Sequence, residues 1–255
     1  HRALPTFIVG ESSVIHSRRR DDWSSPQPVA AIPFPSICEA VSAPRIATTE
    51  QHGATARIDA DVAEVLRRIG STQVRASGTI GGNIANGSPI GDMPPLLIAL
   101  GATLHLRHGG SDRRMALEDY FIAYGKQDRK PGELVWRIEV PRLQPNEFFR
   151  AFKISKRFDQ DISAVMAAFK FTLDGNRIAA ARIAFGGMAA TPKRAGGTET
   201  VIAGARLDDP ATWTKAIGAL THDYQPIADM RASAAYRMDV AQSLLRKALM
   251  ELAGT

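Results

Sequence analysis

The chain has 255 residues, 32 Lys+Arg against 26 Asp+Glu for a formal net charge of +6, and 44% hydrophobic beside 23% charged residues. These are ordinary values for a globular protein with a sizeable core. The single cysteine, Cys38, excludes an internal disulfide framework and a thiolate-held iron–sulfur cluster, and implies a reducing, cytoplasmic setting. Basic residues are scattered apart from Arg18-Arg19-Arg20, Arg67-Arg68 and Arg113-Arg114, and no apolar run is long enough for a membrane span, so neither nucleic acid nor a membrane is an expected partner.

The amino terminus, HRALPTFIVG, reads as a strand without the charged-then-apolar plan of a secretory leader. Residues 11–58 are rich in Ser, Pro, Arg and Ala and keep neither an alternation nor a helical stripe, which reads as irregular chain. Periodicity returns at Asp59, where Val62, Val65, Leu66 and Ile69 form an i, i+3, i+4, i+7 stripe with Asp59 or Asp61 as N-cap and Gly70 as stop. After a glycine-rich stretch come an apolar helix (95–100), an alternating strand (102–107), a Gly109-Gly110 turn into a strand (113–117), a short helix (117–124), a polar loop (125–132) and a strand (133–140) stopped by Pro141.

Beyond Pro145 three strands are expected, over 148–154, 163–173 and 177–185, with Asp174-Gly175-Asn176 as a hairpin turn. Helices follow over 191–203, 209–222 and 229–252, the last with an apolar stripe of Met230, Ala234, Met238, Ala241, Leu245, Leu249 and Leu252. Strands followed by helices predict an α+β unit with helices on one face of an antiparallel sheet, and a domain boundary near 141–146.

The most informative segment is Arg75–Pro95, RASGTIGGNIANGSPIGDMPP. Gly78, Gly81, Gly82 and Gly87 are interleaved with Thr79, Asn83, Asn86 and Ser88, and the segment closes on Asp92 and a Pro-Pro pair. Glycines at this density let backbone amides approach a ligand closely, or simply build a turn. Neither a G-x-G-x-x-G nor a P-loop is present. No acid–base, nucleophile or metal constellation stands out, and His105 and His108 would point to opposite faces of one strand.

The wording GTIGGNIANGSPIGD resembles the second flavin-binding segment of the molybdenum hydroxylase flavoproteins, most of all the FAD-bearing small subunit of bacterial xanthine dehydrogenases. Phe149–Ser163, FRAFKISKRFDQDIS, and Asp229–Val240, DMRASAAYRMDV, are similar to later blocks of the same family. The resemblance implies the remainder of a two-lobed FAD-binding domain of the vanillyl-alcohol-oxidase/PCMH type over 59–145, followed by a C-terminal domain over 146–255 of antiparallel sheet plus three helices. It implies FAD, with NAD as electron acceptor and with molybdopterin and two-iron–two-sulfur clusters on other domains or subunits. The partners implied are a molybdopterin-binding large subunit and an iron–sulfur domain.

The implied flavin contacts are Thr79, Ile80, Gly81, Gly82 and Asn83, then Asp92, Val135 and Lys153. Read as residues alone, Asp92 is equally a helix N-cap, Val135 a strand residue and Lys153 a surface lysine on a strand's polar face. Ile69 stands where relatives can carry an aromatic residue against the ring. The charged segment 154–164, with Lys156, Arg157, Asp159 and Asp161, is expected beside the flavin, where it could influence access of the pyridine nucleotide. Nothing before the glycine segment matches the family's pyrophosphate-binding lobe or its iron–sulfur domain. The expectation is therefore an amino-terminally truncated chain, with a frameshift or diverged insert between about residues 10 and 60. The readings left open are a xanthine dehydrogenase flavin subunit, the flavin subunit of a carbon monoxide, aldehyde or N-heterocycle hydroxylase, and a remnant that retains no FAD.

Overall fold

The computed structural model describes residues 6–9 and 58–254. The irregular segment and the frameshift expected within it lie, up to residue 57, outside the described residues. The first unit holds β1 (Thr6–Val9), the helices α1 (Ala60–Arg68), α2 (Thr72–Ser77), α3 (Ile80–Asn86) and α4 (Met93–Leu100), and the strands β2 (Thr103–His108) and β3 (Ser111–Ala116). A 3-10 turn at Leu117–Tyr120, the short hairpin β4 (Phe121–Ala123) and β5 (Lys126–Gln127), and β6 (Leu134–Pro141) complete it. An antiparallel sheet of order β1-β6-β2-β3 results, with Thr6 opposite Pro141 and Leu106 opposite Val135.

The expected helix at 59–69 forms because its stripe buries Val62, Val65 and Leu66, and the two aspartates at its start divide the work. Asp59 caps the helix by accepting the Asp61 amide at 2.8 Å, while Asp61 reaches across to accept the Ala151 amide at 2.9 Å. The glycine-rich stretch is not a plain turn. Thr79 Oγ1 accepts the Gly82 amide at 2.9 Å, and α3 then runs to Gly87, which closes it in the left-handed conformation at φ 60°. Gly81, Gly82 and Asn83 are poor helix formers, so the helix depends on that cap and on burying Ile80 and Ile84.

The second unit consists of β7 (Glu147–Ile154), β8 (Val165–Asp174), β9 (Arg177–Gly186), β10 (Lys193–Arg194), α5 (Gly196–Ile202), α6 (Ala211–Asp223) and α7 (Ala234–Ala253). Its antiparallel sheet has the order β10-β9-β8-β7. The hairpin falls where expected, with Asp174 opposite Arg177 and Gly175 at φ 55°.

Three boundaries differ from the sequence expectation. The helix expected from residue 191 begins at Gly196, because Lys193 and Arg194 first pair with Phe185 and Ala184. The short helix expected over 117–124 ends at Tyr120 and gives way to β4. The last helix begins at Ala234 rather than Asp229, and Met230 is 80% exposed rather than part of the stripe. The cause is Asp229, whose carboxylate turns the chain by accepting the amides of Arg231 at 2.8 Å and Ala232 at 3.2 Å.

The second sheet is covered on both faces, not one. Val165, Ala167, Phe169 and Phe171 of β8 face a core shared with Trp213, Leu220, Leu245 and Leu249 of the C-terminal helices. Met166 and Ala168 face the opposite way, into a core shared with Phe149, α1 and α4. Two buried faces explain why β8 reads as a nearly continuous apolar run rather than an alternation. Helix α4, MPPLLIAL, is buried at every residue and lies against β8 and β9 on one side and β6 on the other. Arg237 of α7 ties the ends of the sheet together, donating to the carbonyls of Ala164 and, at 3.1 Å, Gly187, and to Asp229 at 2.7 Å. Gly187 has φ 82°, and a Cβ there would collide with the Ala164 carbonyl, so the residue is restricted to glycine by both conformation and space.

Two outcomes follow. Leu97→Ala removes a fully buried side chain from the helix between the sheets and is expected to cost about 2–5 kcal/mol in urea unfolding. Burial pushes the Asp229 carboxyl up, but the Arg231 and Ala232 amides and the Arg237 guanidinium outweigh it and hold the group at about 2, below the ordinary 3.8. A depressed carboxylate stabilises the fold above its unfolded value, and that contribution vanishes as pH falls through the folded one. Unfolding free energy should therefore drop between about pH 4 and pH 2, by on the order of 2 kcal/mol, and Asp229→Asn should flatten that segment of the profile. An unchanged profile in the variant would contradict the assignment.

Candidate functional site

Asp92 stands at the N-terminal boundary of α4, where an aspartate ordinarily accepts the amides of the second or third helical residue. Here those residues are Pro94 and Pro95, which carry no N–H, and Asp92 makes no side-chain capping bond. Its carboxylate turns to two side chains from the other unit instead. Lys153 Nζ donates to Oδ2 at 2.5 Å, and Ser163 Oγ donates to Oδ1 at 2.5 Å. All three are buried, with 7% of Asp92, 6% of Lys153 and 1% of Ser163 exposed. The N-cap reading of Asp92 and the surface reading of Lys153 are both set aside by this geometry.

Lys153 is inward because β7 alternates. Phe149, Ala151 and Lys153 face the first unit, whereas Phe148, Phe152 and Ile154 pack against the C-terminal core. Arg68 of α1 fixes the backbone there, donating to the carbonyl of Lys153 at 3.0 Å and to that of Phe158 at 3.0 Å. The charged segment leaves the sheet after Ile154 and rejoins it at Val165, so Lys153 and Ser163 sit at its two stems and both meet Asp92. Within it Lys156 donates to the Met230 carbonyl at 2.6 Å, Asp161 accepts the Arg157 amide at 2.9 Å, and Gln160 has φ 54°. Phe158 is 70% exposed on one face while the Arg68 guanidinium covers its ring at 4.8 Å.

The other residues named from the sequence gather around α3. Thr79 is its cap, and Ile80 and Gly81 open its first turn, where helix geometry leaves amides without an intrahelical acceptor. The Ile80 side chain is in the core, so only its backbone is available to a ligand. Gly82 is exposed, and a Cβ there would come within 2.9 Å of Thr79 Oγ1. Val135 is buried in β6, against which α3 rests. Asn83 links the two groups. Its Oδ1 lies 3.4 Å from where a Cβ on Gly91, the neighbour of Asp92, would be, and that buried oxygen has no hydrogen-bond partner. Ile69, at the position where an aromatic could stack, is a core residue.

Ser163 and Arg68 were not singled out from the sequence. The signal that could have led to them is the Pro-Pro pair, since an aspartate denied its capping amides must find donors elsewhere. A separate cleft of ≈ 620 Å³, lined by Glu118, Phe121, Lys193, Arg194, Glu199 and Asp223 among others, contains none of the sequence-named residues. Its charges largely satisfy one another, Arg194 pairing with Glu199 at 2.6 Å and Glu118 at 3.1 Å. Among the described residues no group of His, Cys, Asp or Glu could hold a metal ion, and no helix is long and apolar enough to cross a membrane.

Residues 38–143 match the family described as the FAD binding domain in molybdopterin dehydrogenase, and residues 150–252 match the CO dehydrogenase flavoprotein C-terminal domain. The chain belongs to the flavoprotein family of the molybdopterin dehydrogenases. Among members of this family, the glyceraldehyde dehydrogenase medium chain of Sulfolobus acidocaldarius is 36% identical over 187 residues, covering 73% of this chain and 66% of that protein. A xanthine dehydrogenase of Emericella nidulans is 31% identical over 167 residues, which cover 65% of this chain and 12% of that protein. The solved structure of reconstituted CO dehydrogenase from Oligotropha carboxidovorans superposes with a TM-score of 0.70 at 31% identity, covering 76% of this chain and 68% of that one. The chain thus spans only part of the curated relatives it matches. The family resemblance is upheld at this level, whereas the narrower xanthine dehydrogenase assignment is not singled out among these relatives.

The residues present fit a flavin. An unpartnered buried acceptor on Asn83, an exposed glycine backbone at Gly82 and a buried ammonium–carboxylate pair offer the acceptors, close approach and charge that its polar groups require. Removing one member of the buried pair should be worse than removing both. Lys153→Met is expected to lose about 3–5 kcal/mol in chemical denaturation, with Asp92→Leu/Lys153→Met recovering much of the loss. A double-variant loss equal to the sum of the two single-variant losses would show that the pair is not coupled.

Proposed function

We propose that this chain is the flavin-carrying part of a molybdenum hydroxylase of the xanthine dehydrogenase type, passing electrons from molybdenum and iron–sulfur centres through FAD to NAD. Residues 59–145 would supply the flavin-binding unit and 146–255 the C-terminal domain. The centres upstream would belong to a molybdopterin-binding subunit and an iron–sulfur domain, in a cytoplasmic complex. The observation that carries the reading is the Asp92–Lys153 pair at 2.5 Å beside the unpartnered Asn83 oxygen, within a family matched along most of the chain.

FAD supplies the redox chemistry; the protein's part is to hold it and set its electrostatics. Thr79, Gly81, Gly82 and Asn83 would bind the cofactor's polar groups, Val135 would bound its apolar side, and Lys153 would place a cation against negative charge that develops on reduction. Asp92 is an acceptor only. It would suit a hydroxyl or amino group and repel a phosphate.

A second reading, the medium chain of an aldehyde or carbon monoxide hydroxylase, draws on the 36% identity to the glyceraldehyde dehydrogenase medium chain. The wording NIANGSPIGD and KRFDQDIS supports the xanthine branch. Both readings require FAD and differ in the acceptor. The purified chain, incubated with FAD and desalted, is expected to keep the visible absorption bands of oxidised flavin, and NADH should bleach them anaerobically. A coloured protein that NADH leaves oxidised would favour the second reading. A colourless one would overturn both and leave a remnant without a working flavin.

A further inference from the structure

Resting on that reading, we propose that Ser163 is a positioning residue of the flavin step. Its hydroxyl holds the Asp92 carboxylate in the orientation that fixes the Lys153 ammonium, and through it the reduction potential of the bound flavin. Ser163 closes the family-similar block Phe149–Ser163 but is not among the flavin contacts that the resemblance implies.

Three observations converge on this role. The prolines after Asp92 remove the amides that would otherwise fix its carboxylate, so its orientation depends on the two side chains that reach it. Those side chains divide the oxygens, Ser163 on Oδ1 and Lys153 on Oδ2, each at 2.5 Å. A lysine is a point charge on a flexible stem and takes its direction from its partner, so whatever orients Asp92 also orients Lys153.

Ser163 is itself firmly placed. The adjacent Ala164 amide donates to the Ile154 carbonyl at 2.8 Å, and the Ala164 carbonyl is held by Arg237. Lys153 is held from behind by Arg68 at 3.0 Å. Both stems are tied by hydrogen bonds, and the carboxylate between them has one hydroxyl to keep it from turning. Without that hydroxyl, Asp92 keeps Lys153 as its partner, but the oxygen freed from Ser163 is buried and unpaired. The ion pair is then expected to rotate to satisfy it.

The test uses the full 255-residue chain loaded with FAD and compares Ser163→Ala with Ser155→Ala. Ser155 donates to the Arg157 carbonyl at 2.6 Å in the exposed segment between the same stems and does not touch Asp92, so its loss loosens that segment alone. Ser163→Ala should weaken FAD binding roughly tenfold, the effect of one hydrogen bond to a charged group, and move the flavin midpoint potential to more negative values. Ser155→Ala should leave both unchanged. A potential unmoved in Ser163→Ala, or moved equally in Ser155→Ala, overturns the proposal while leaving the flavin reading intact. If the unsubstituted chain retains no FAD, trypsin cleavage after Lys156 and Arg157 is compared in the colourless proteins. Faster cleavage in Ser163→Ala alone would then assign the hydroxyl a purely structural role and overturn its part in flavin chemistry together with the function proposed above.

Discussion

A helix with no polar side has to be covered all round, and this fold is arranged to do that for α4. MPPLLIAL offers water nothing, so one sheet closes over it from each side. The consequence reaches both units. The second sheet, with the C-terminal helices already on one face, must spend its other face on α4, and its central strand loses the alternation that a one-sided sheet would show. The two cores therefore share one wall, and the residues just before α4 are delivered to the junction between units.

Asp92 is the first polar residue outside that helix, and the same prolines that help to start α4 strip it of local hydrogen bonds. A buried carboxylate without amides has to be neutralised by charge or by hydroxyl, and the junction provides one of each, from β7 and from the chain just before β8. The polar cluster at the junction and the apolar helix beside it are thus two results of one short stretch of sequence. Such a cluster is weak support for stability in itself, since two desolvated charges offset much of their own attraction. Its value lies in fixing where a cation stands.

Much of this was legible in the sequence where the signal was local. The Val62, Val65, Leu66 and Ile69 stripe, the Gly175 hairpin and the longer strands of both sheets follow from periodicity, strand composition and turn chemistry, whereas β10 lay inside an expected helix. Helix α3 was not legible, because two glycines and an asparagine argue against a helix and only the Thr79 cap and the burial of Ile80 and Ile84 decide for it. Lys153 was legible as a site residue through family resemblance and illegible as a buried one, since its partner lies 61 residues away. Ser163 closed a family-similar block but carried no signal for a role of its own. The exposed start at Met230 was misread because a period of 3.6 can be counted backwards past a cap, and nothing in the count reveals that Asp229 has bent the chain.

The Arg237 tie has a consequence for the order in which the molecule can be made. A ribosome delivers the glycine segment first, then Lys153 and Ser163, and Arg237 only near the end of the described chain. Until the guanidinium arrives, the carbonyls of Ala164 and Gly187 have no common anchor, and the Gly187 amide that binds the Pro89 carbonyl at 2.7 Å belongs to an unfinished sheet edge. The junction is built from contacts of long sequence separation, whose loop-closure entropy must be met before they reward the chain. Until its second wall is in place, α4 is an apolar helix with one side uncovered.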